Sequence, residues 1–491
     1  MGRLSLIIPP SVFLLDERVF VSLGVLRVAA ALEHAGVGVE LLDLSGIENY
    51  LDAAEYHARA TVSCVFGITI TTPQLPAARR IIERIRSARP DARIILGGPH
   101  VTLVNSACKL ERRRQRSGRG HAAFTALLQL GDVLVAGDGE RAIFQAIDAP
   151  TGSLVDGDDP KGGLFLDNAG YNAMPLPARH LVDMASYHYS IDGHPAASLI
   201  AQLGCPFGCG FCGGRNSNTL RMIRTRTSES IVGEMELLYS SYGVTGFMFY
   251  DDELNVSKSL IELMDGVARL QQRLGVEFRC RGFVKSELFT DAQAQAMYRA
   301  GFRWILAGFE SASPRILTNI NKRATLADNT RCVEIARRHG LKVKALMSIG
   351  HPGESPDTIR ATRDWLIAVR PDDFDCSIIT TYPGTPYYDE AIEAETPGIY
   401  TYTAPHTGDK LHSVELDFSQ VADYYKGDPD GGYQAFVFTD FMTSQELVDL
   451  RQDVEQDVRM KLSIPFNPSR SAQRYEHSMG MLPPFILRQS E

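Results

Sequence analysis

Short apolar runs alternate with amphipathic helical patterns along the first 150 residues. The apolar runs predict five strands, at residues 3–8, 39–44, 62–70, 92–98 and 132–137. Continuous apolar strands separated by helices are typical of a parallel sheet that is covered on both faces. The pattern predicts a Rossmann-like, doubly wound α/β domain over residues 1–148, with a basic insertion at 104–130 between the fourth and fifth strands.

The alternation weakens and then resumes in the second half of the chain. Residues 149–196 are rich in Gly, Asp, Pro and Tyr and have weak periodicity, which predicts a linker. Six further apolar runs predict strands at residues 198–203, 246–250, 276–281, 303–308, 343–349 and 375–380. Six strand–helix units in series predict a partial (β/α)6 TIM-like barrel over residues 197–393. Residues 394–491 form a small C-terminal extension.

Composition narrows the class of protein. The chain has 491 residues and a formal net charge of −9, from 50 Lys and Arg against 59 Asp and Glu. A mildly acidic protein is not built to coat nucleic acid or an anionic membrane, and no apolar run approaches the ~20 residues that span a bilayer. Eight cysteines are too few for a disulfide framework, and no signal-peptide cleavage site follows the apolar start, so we expect a cytoplasmic location.

Polar and glycine-containing segments follow each predicted barrel strand. The active sites of parallel-strand barrels gather at the C-terminal strand ends, on the loops that lead into helices. Three cysteines follow the first strand. The later loops carry further candidates: Asp251, Asp252, Glu253, Lys285, Glu287, Glu310, Ser311, Gly350 and Tyr382. Their concentration at one rim predicts an active site there.

The stretch LGCPFGCGFCGGRN, residues 203–216, places Cys205, Cys209 and Cys212 in a C-x3-C-x2-C pattern. Buried thiols or a structural zinc site are the simpler interpretations. Structural zinc needs four ligands, yet the next cysteine is Cys280 and no histidine lies between Cys205 and Cys280. Thiolates also bind iron–sulfur clusters. Three ligands on a four-iron cluster would leave one iron open, and the flanking glycines allow the backbone to wrap closely round it.

In this setting the cysteine pattern, with the aromatic Phe211 before its third cysteine, resembles the radical S-adenosylmethionine (SAM) superfamily. The resemblance implies a [4Fe–4S] cluster on the three cysteines and SAM on the open iron. SAM would be cleaved reductively to a 5′-deoxyadenosyl radical that abstracts hydrogen from a small-molecule substrate. It also implies SAM contacts from Asp251, Asp252, Glu310, Ser311 and the loop at Gly350. For Asp251 and Asp252 alone, a helix N-cap is an equally good interpretation.

The segments GITITTPQLPAA, ILGGPH and VLVAGDGE resemble the cobalamin (B12)-binding domain that precedes many radical SAM barrels. In that family the loops after these strands hold the corrin ring and its tail. The resemblance implies contacts from Thr71, Thr72, Gln74, Gly97, Gly98, Gly137, Gly139 and Glu140. The D-x-H-x-x-G motif of cobalamin mutases is absent, so no histidine ligand from that motif is expected. GDGERA also matches the dinucleotide fingerprint G-x-G-x-x-A, but it follows the last strand instead of the first.

Two reactions fit the resemblance. Many relatives with a cobalamin domain methylate unactivated carbons in antibiotic biosynthesis, and family frequency favours methyl transfer through cobalamin. The alternative is cobalamin-independent diol dehydration of an aminosugar, as in aminoglycoside biosynthesis, which needs an acid near the leaving hydroxyl. Glu253, Lys285, Glu287 and Tyr382 are the candidates for that role. A non-catalytic electron carrier or iron–sulfur sensor is the rival class and predicts no SAM cleavage.

The basic run ERRRQR, residues 111–116, has two interpretations. A solvated helix face is the more frequent reason for such a run. The functional interpretation is docking of an acidic electron donor such as flavodoxin, which the cluster requires.

Overall fold

The computed structural model describes residues 3–14, 16–116, 118–422, 433–465 and 482–490. These residues form two mainly parallel sheets of seven strands each, an antiparallel sheet of four strands and a two-stranded ribbon. None of the helices in these ranges is long and apolar enough to cross a membrane. The α/β fold class predicted from the sequence is confirmed.

The N-terminal sheet is doubly wound. Its parallel strands are Leu4–Ile8 (β1), Val39–Asp43 (β2), Val65–Thr69 (β3), Arg93–Gly97 (β4), Val133–Gly137 (β5) and Ser153–Gly157 (β6). The helices are Leu23–His34 (α1), Tyr50–Ala60 (α2), Leu75–Ala88 (α3), Pro99–Arg113 (α4), Arg119–Leu130 (α5) and Gly139–Asp148 (α6). The strand order is β2-β1-β3-β4-β5-β6, and every residue of β1 and β2 is buried because helices cover both faces.

Two parts of this domain have more structure than their sequence patterns indicate. Strand β6 lies inside residues 149–196, the range predicted as a linker, and pairs in parallel with β5. Its sequence, SLVDG, is half-polar because it forms the edge of the sheet and is only partly buried. The basic insertion at 104–130 consists of most of α4 and all of α5. These helices pack so closely that a Cβ at Gly120 would lie 3.0 Å from Ala107.

The second sheet is the open barrel, and it is reached through helix Asn168–Ala173 (α7). Its chain begins with Ser190–Ile191 (β7) and His194–Leu199 (β8), followed by an antiparallel ribbon of Gln202–Leu203 (β9) and Arg224–Thr225 (β10). The remaining barrel strands are Gly246–Phe249 (β11), Arg279–Phe283 (β12), Phe302–Glu310 (β13), Lys342–Ile349 (β14) and Asp373–Ile378 (β15). The order β15-β14-β13-β12-β11-β8 is parallel throughout, and β7 adds antiparallel to β8. This confirms the predicted six-unit partial barrel.

Helices cover the convex face of the barrel. Three short helices, Asn218–Arg221 (α8), Pro314–Asn319 (α12) and Pro386–Asp389 (α15), lie beside the cysteine-containing segment at the barrel mouth instead. The covering helices are Ser228–Tyr242 (α9), Leu260–Leu274 (α10), Asp291–Arg299 (α11), Leu326–Arg338 (α13) and Pro356–Val369 (α14). Alternate strand residues, such as Phe247, Cys280 and Phe309, join these helices in one buried core. Because side chains alternate along a strand, the residues between them face the concave side, where the site is expected.

The C-terminal extension returns to the first domain. It contains Ile392–Glu393 (β16), Ile399–Thr403 (β17), Lys410–Val414 (β18), Val437–Thr439 (β19), Ser444–Leu462 (α16) and Leu487–Gln489 (β20). Strands β16 to β19 form the small antiparallel sheet, whereas β20 pairs antiparallel with β2. Arg488 in this last strand also forms an ion pair with Asp183 at 3.2 Å. The end of the chain thereby ties the N-terminal sheet to the segment that leads into the barrel.

Candidate active site

The cysteine loop follows β9 and is held across the barrel mouth by backbone hydrogen bonds. The Gly210 N–H donates to the Ile320 carbonyl at 2.8 Å, and the Gly214 N–H donates to the Gly384 carbonyl at 3.1 Å. A Cβ at Gly210 would lie 2.8 Å from the Tyr387 ring, so only glycine permits this close approach. The loop is therefore fixed to the segments that follow β13 and β15.

The three thiols of this loop are accessible, unlike most other cysteines of the chain. Cys205 and Cys209 are half-buried and Cys212 is exposed, whereas Cys280 and Cys332 are buried. Desolvation by the surrounding protein raises the pKa of Cys205 to about 11 and that of Cys212 to about 12, and the charges of the neighbouring thiols add to this effect. Three accessible thiols that interact with one another fit the ligands of an inserted group.

This set of donors fits an iron–sulfur cluster better than a single metal ion. Over the part of the chain that the structure describes, no group of three or more His, Cys, Asp or Glu side chains is arranged to hold one ion. In a [4Fe–4S] cluster each thiolate binds a different iron, so the sulfurs stand farther apart than the ligands of one ion. Burial raises the pKa of Cys209, whereas the nearby Lys322 and Lys285 lower it. These two cations offset the charge of thiolate ligands.

A buried polar network beside the loop holds Glu310. This residue ends β13 in the left-handed region, with φ 62°, where the register between β13 and β14 shifts. Its Oε1 accepts a hydrogen bond from Lys322 Nζ at 3.1 Å, and its Oε2 accepts one from Ser348 Oγ at 2.7 Å. Ser348 also bonds His351 Nε2 at 2.8 Å, and the His351 ring lies 5.3 Å from that of Phe211. The network thus links the predicted SAM contact Glu310 to the aromatic residue of the cysteine motif.

The two adjacent aspartates have different surroundings. Asp251 is 2% exposed, and its carboxylate accepts the N–H groups of Ala201 at 3.3 Å and Gln202 at 2.5 Å. Burial raises its pKa to about 7. Asp251 therefore holds the chain that enters the cysteine loop. The helices that follow it begin after Glu253 and Ser259, so the N-cap interpretation is wrong, whereas the SAM contact of Asp251 stays a prediction. Asp252 is exposed and lines the cavity described below, where it can reach a ligand.

Lys285 and Glu287, two of the acid–base candidates, are bonded to each other at 2.8 Å. Lys285 Nζ also donates to the Lys322 carbonyl at 3.1 Å and lies 4.2 Å from the centre of the Phe207 ring. Lys285 is thus committed to protein contacts and is not free to act as an acid. Glu253 lies near both lysines: burial raises its pKa to about 7, while the lysine charges act in the opposite direction.

The three remaining candidates from the barrel loops, Ser311, Gly350 and Tyr382, differ in whether they contact the cysteine loop. The buried Ser311 Oγ accepts the Ser313 N–H at 3.1 Å, which is a local turn contact. Gly350 has φ 89° and turns the chain after β14, a conformation that favours glycine. Tyr382 lies beside the cysteine loop, where a Cβ at Gly213 would be 3.2 Å from its hydroxyl oxygen. Tyr382 therefore contacts the loop, whereas Ser311 and Gly350 shape the backbone around it.

A cavity of about 430 Å³ opens at the carboxyl edge of the N-terminal sheet and reaches the cysteine loop. Seven of the eight residues predicted to contact a corrin line it: Thr71, Gln74, Gly97, Gly98, Gly137, Gly139 and Glu140. The eighth, Thr72, does not, because its hydroxyl bonds His100 Nδ1 at 3.0 Å. The barrel supplies the opposite wall through Gln202, Leu203, Gly204, Tyr250 and Asp252.

The lining of this cavity fits a corrinoid. An apolar slot reaches between the sheet and helices α1 and α6, with space for a ligand tail; it is lined by Leu6, Val25, Ile95, Val135 and Ile143. At the mouth of the cavity, glycines leave the backbone uncovered by side chains. Gly98 has φ 95°, and a Cβ there would lie 2.7 Å from Thr69 Oγ1. A large flat ligand can therefore approach the strand ends closely. No histidine is found among the described residues that line the cavity.

Sequence reasoning missed a stack of charged and aromatic side chains in the cavity wall. The Arg27 guanidinium lies 4.3 Å from the Tyr171 ring centre and bonds Glu140 at 2.9 Å. On the barrel side, Arg224 bonds Asp138 at 2.5 Å and lies 5.9 Å from the same Tyr171 ring. No local pattern marks these residues, because each finds its partner in a distant part of the chain.

Two protein-family models match the chain. The B12 binding domain model matches residues 17–128, which include β2 to β4 and most of α5. The Radical SAM superfamily model matches residues 199–366, which include the cysteine loop and most of the barrel.

Relatives are similar over most of the chain. An uncharacterized methyltransferase of Pyrococcus horikoshii is 27% identical over 343 residues, which are 67% of this chain and 69% of that protein. The hopanoid C-3 methylase of Methylococcus capsulatus is 25% identical over 377 residues, 74% of this chain and 67% of that protein. The anaerobic magnesium-protoporphyrin IX monomethyl ester cyclase of Cereibacter sphaeroides is 25% identical over 66% of this chain, which spans about half (53%) of the cyclase.

Two solved structures share the fold over most of this chain. The radical SAM methyltransferase TsrM of Kitasatospora setae, determined with cobalamin and a [4Fe–4S] cluster, has a TM-score of 0.63 at 19% identity, over 96% of this chain and 92% of its own. The cobalamin-dependent SAM radical enzyme OxsB has a TM-score of 0.52 at 14% identity, over 79% of this chain and 54% of its own. At these identities the likeness shows the fold. The two family models show that the chain joins an N-terminal B12-binding domain to a radical SAM domain, the domain pair of enzymes that use a [4Fe–4S] cluster, SAM and cobalamin.

Proposed function

We propose that this enzyme transfers a methyl group through cobalamin to a carbon atom of a small-molecule substrate. The observation that carries the proposal is that both domains line the cavity at the carboxyl edge of the N-terminal sheet. Gly98 and Gly137 of the N-terminal sheet face Gly204 and Asp252 of the barrel across it. Since Gly204 directly precedes Cys205, the corrin pocket and the cluster loop adjoin each other. When bound, the cluster with SAM supplies a carbon radical and cobalamin supplies a transferable methyl group.

The residues of the chain would bind, orient and shield these groups. The three cysteines would hold the cluster, and the buried lysines behind the loop would balance its charge. Asp252 presents a carboxylate at the boundary between the cavity and the cysteine loop, where it would attract the cationic groups of SAM. Asp251 would keep the loop in position through Ala201 and Gln202. The apolar slot of the N-terminal domain would exclude water from the corrin face.

The relatives support methyl transfer over dehydration. Two of them are named as methylases or methyltransferases, and the TsrM structure was also solved with a tryptophan substrate and a SAM analogue bound. Dehydration of an aminosugar would require a free acid and no corrin. Lys285 and Glu287 are bonded to each other, whereas the corrin cavity is intact. We therefore place methyl transfer first.

The basic run at residues 111–116 is better explained by contacts within the protein than by docking of an electron donor. The Glu111 carboxylate accepts the N–H groups of Gly118 and Gly120 and so caps α5. Arg114 pairs with Glu390 at 3.0 Å. Its charge is thus partly neutralised, and we place the docking surface for the required electron donor elsewhere.

The test uses the full chain, purified without oxygen and reconstituted with iron, sulfide and hydroxocobalamin. It is then incubated with a reductant and SAM that carries a deuterated methyl group. We expect stoichiometric corrin absorbance and, by mass spectrometry, deuterated methylcobalamin, a product that needs no knowledge of the substrate. Cys209→Ala should lose the cluster, whereas Cys64→Ser, at an exposed cysteine outside the site, should keep it. An intact cluster that cleaves SAM in a protein that retains no corrin would overturn the proposal.

A further inference from the structure

We propose that the substrate is a planar aromatic molecule with an acidic group, held by aromatic side chains at the barrel mouth and by Arg281. The substrate class rests on the proposed methyl transfer, which places the substrate between the corrin cavity and the cysteine loop.

Four aromatic side chains meet at this position, and we name them the rim cluster: Phe20, Tyr189, Tyr250 and Phe283. The Phe20 ring centre lies 4.6 Å from that of Tyr189 and 5.2 Å from that of Tyr250. Tyr250 in turn lies 6.3 Å from Phe283, with their planes at 72°. The four residues come from the loop after β1, the segment before β7 and the ends of β11 and β12. Both domains therefore contribute to the cluster.

The rim cluster is left partly open. Tyr250 is 49% exposed and Phe20 is 36% exposed, although each contacts other rings. Grouped exposed aromatic surface on a folded protein commonly marks a binding site. Rings that meet at an angle leave edges and faces on which another ring can stack or pack edge-on, and each such pair adds to the gain from burial.

The rim cluster adjoins the corrin cavity through one of its members, Tyr250. Tyr250 lines the corrin cavity, and its N–H donates to the Leu199 carbonyl at 2.8 Å, which fixes it beside the strand that leads to the cysteine loop. The next residues along the chain are Asp251, which holds that loop, and Asp252, which faces the cavity. A molecule packed on Tyr250 would therefore contact the space of both cofactors.

Arg281 supplies the charge. It lies on β12 two residues before Phe283, and the buried Cys280 and Gly282 point away from it into the core. Its strand neighbour Arg279 pairs with Glu277 at 3.0 Å, whereas Arg281 forms no ion pair with any described residue. The Arg281 Nε also lacks a hydrogen-bond partner within the described part of the chain.

A half-buried guanidinium without a carboxylate partner is an incomplete arrangement. Taking such a charge out of water is costly unless an anion meets it, and a carboxylate does so through charge-assisted hydrogen bonds. The Tyr189 hydroxyl lies close enough for the Arg281 charge to lower its pKa, against the stronger effect of burial, so the guanidinium borders the rim cluster. Aromatic walls and one unpaired cation together select a ring that carries an acid.

The experiment compares three probes by calorimetric titration of the reconstituted holoenzyme: indole-3-propionate, its neutral amide, and cyclohexanepropionate. We expect the indole acid to bind at least about tenfold more tightly than either of the others, because each lacks one of the two features. Arg281→Gln and Phe20→Leu should each weaken indole-3-propionate by about tenfold while the cluster and corrin absorbance stay unchanged, because neither residue lines the corrin cavity. Tyr242→Leu, at a 38% exposed tyrosine that ends α9, is the matched control and should leave the affinity unchanged.

Equal affinity for the three probes, no binding of the indole acid at millimolar concentration, or full affinity in Arg281→Gln would each overturn the substrate class. Failure of the two proposals can be told apart. If methylcobalamin forms but the probes are not distinguished, the substrate class alone fails. If the probes are distinguished but no corrin is retained, methyl transfer fails and the aromatic acid site stands.

Discussion

Asp138 and Arg224 form a buried ion pair that joins the two domains at the edge of the cobalamin cavity. The Asp138 Oδ2 accepts hydrogen bonds from Arg224 Nη1 at 2.5 Å and from the Leu166 N–H at 2.8 Å. Their side chains are 5% and 2% exposed. Asp138→Asn would leave the Arg224 charge buried without a counter-ion. Removing one partner of a buried pair costs about 3–5 kcal/mol, so we expect a loss of stability of that order.

The assay is urea unfolding followed by circular dichroism, together with corrin retention after gel filtration. Asp138→Asn should lower the first unfolding midpoint and release cobalamin, because Arg224 also bonds the Leu166 and Thr219 carbonyls that shape the cavity wall. Exchanging both partners at once, Asp138→Leu with Arg224→Met, should recover most of the stability, since an apolar pair avoids the cost of burying charge. Glu236→Gln, in an exposed ion pair with Arg273, should leave the midpoint unchanged.

A loss below about 1 kcal/mol in Asp138→Asn would refute this reasoning, because it would show that water reaches the pair and screens it as on a surface. A double variant no more stable than Asp138→Asn would also refute it, because the loss would then come from packing and not from an unpaired charge.

The other predictions concern the cluster, the cavity and the N-terminal core. Cys212→Ala should abolish iron–sulfur absorbance and 5′-deoxyadenosine release, whereas Cys280→Ala, at a buried thiol in the barrel core, should keep both; retention of the cluster in the first variant would contradict the ligand set. Gly98→Ala and Gly152→Ala should each be destabilised by roughly 1 kcal/mol, because both positions have a positive φ. Only Gly98→Ala should lose a further ~1–3 kcal/mol from a steric clash and bind corrin more weakly, because nothing lies near a Cβ at position 152. Equal urea midpoints for the two variants would contradict this prediction. Burial lowers the pKa of His57 to about 4, so below about pH 6.5 the unfolded chain binds a proton at this histidine and the native state does not. Between pH 8 and pH 5, the stability of the wild type measured by urea titration should therefore fall by about 2 kcal/mol more than that of His57→Gln. Parallel pH profiles of the two proteins would show that this histidine is not the cause.

Local patterns were sufficient for the framework of the fold and for singling out the three cysteines as candidate ligands. Strands and helices can be predicted from the periodicity of apolar side chains, which depends only on neighbours along the chain. In a parallel sheet all carboxyl ends lie at one edge, so residues that follow the strands are brought together without further information. For this reason Cys205 and Asp252 could be assigned to one edge of the barrel sheet, and Gly98 and Gly137 to one edge of the N-terminal sheet, from the sequence alone.

The role of each polar side chain depended on partners that only the tertiary structure brings near. Asp251 and Asp252 are adjacent in sequence, but the N–H groups of Ala201 and Gln202 hold the buried Asp251. The exposed Asp252 accepts the Gly204 N–H and lines the cavity. Strand β20 joins β2 across more than 400 residues of chain, a pairing that no local period encodes.

The sequence by itself determined the two α/β domains and their order, because these follow from short-range periodicity. It also singled out the three cysteines, whose cluster chemistry was implied by the resemblance to a known family. Tertiary structure alone decided that the two domains line one cavity, that Lys285 is bonded rather than free, and that the rim cluster reaches this cavity through Tyr250. The physical reason is that a hydrogen bond or ion pair needs its two groups within about 3–4 Å, and chain folding sets that distance, not spacing along the sequence.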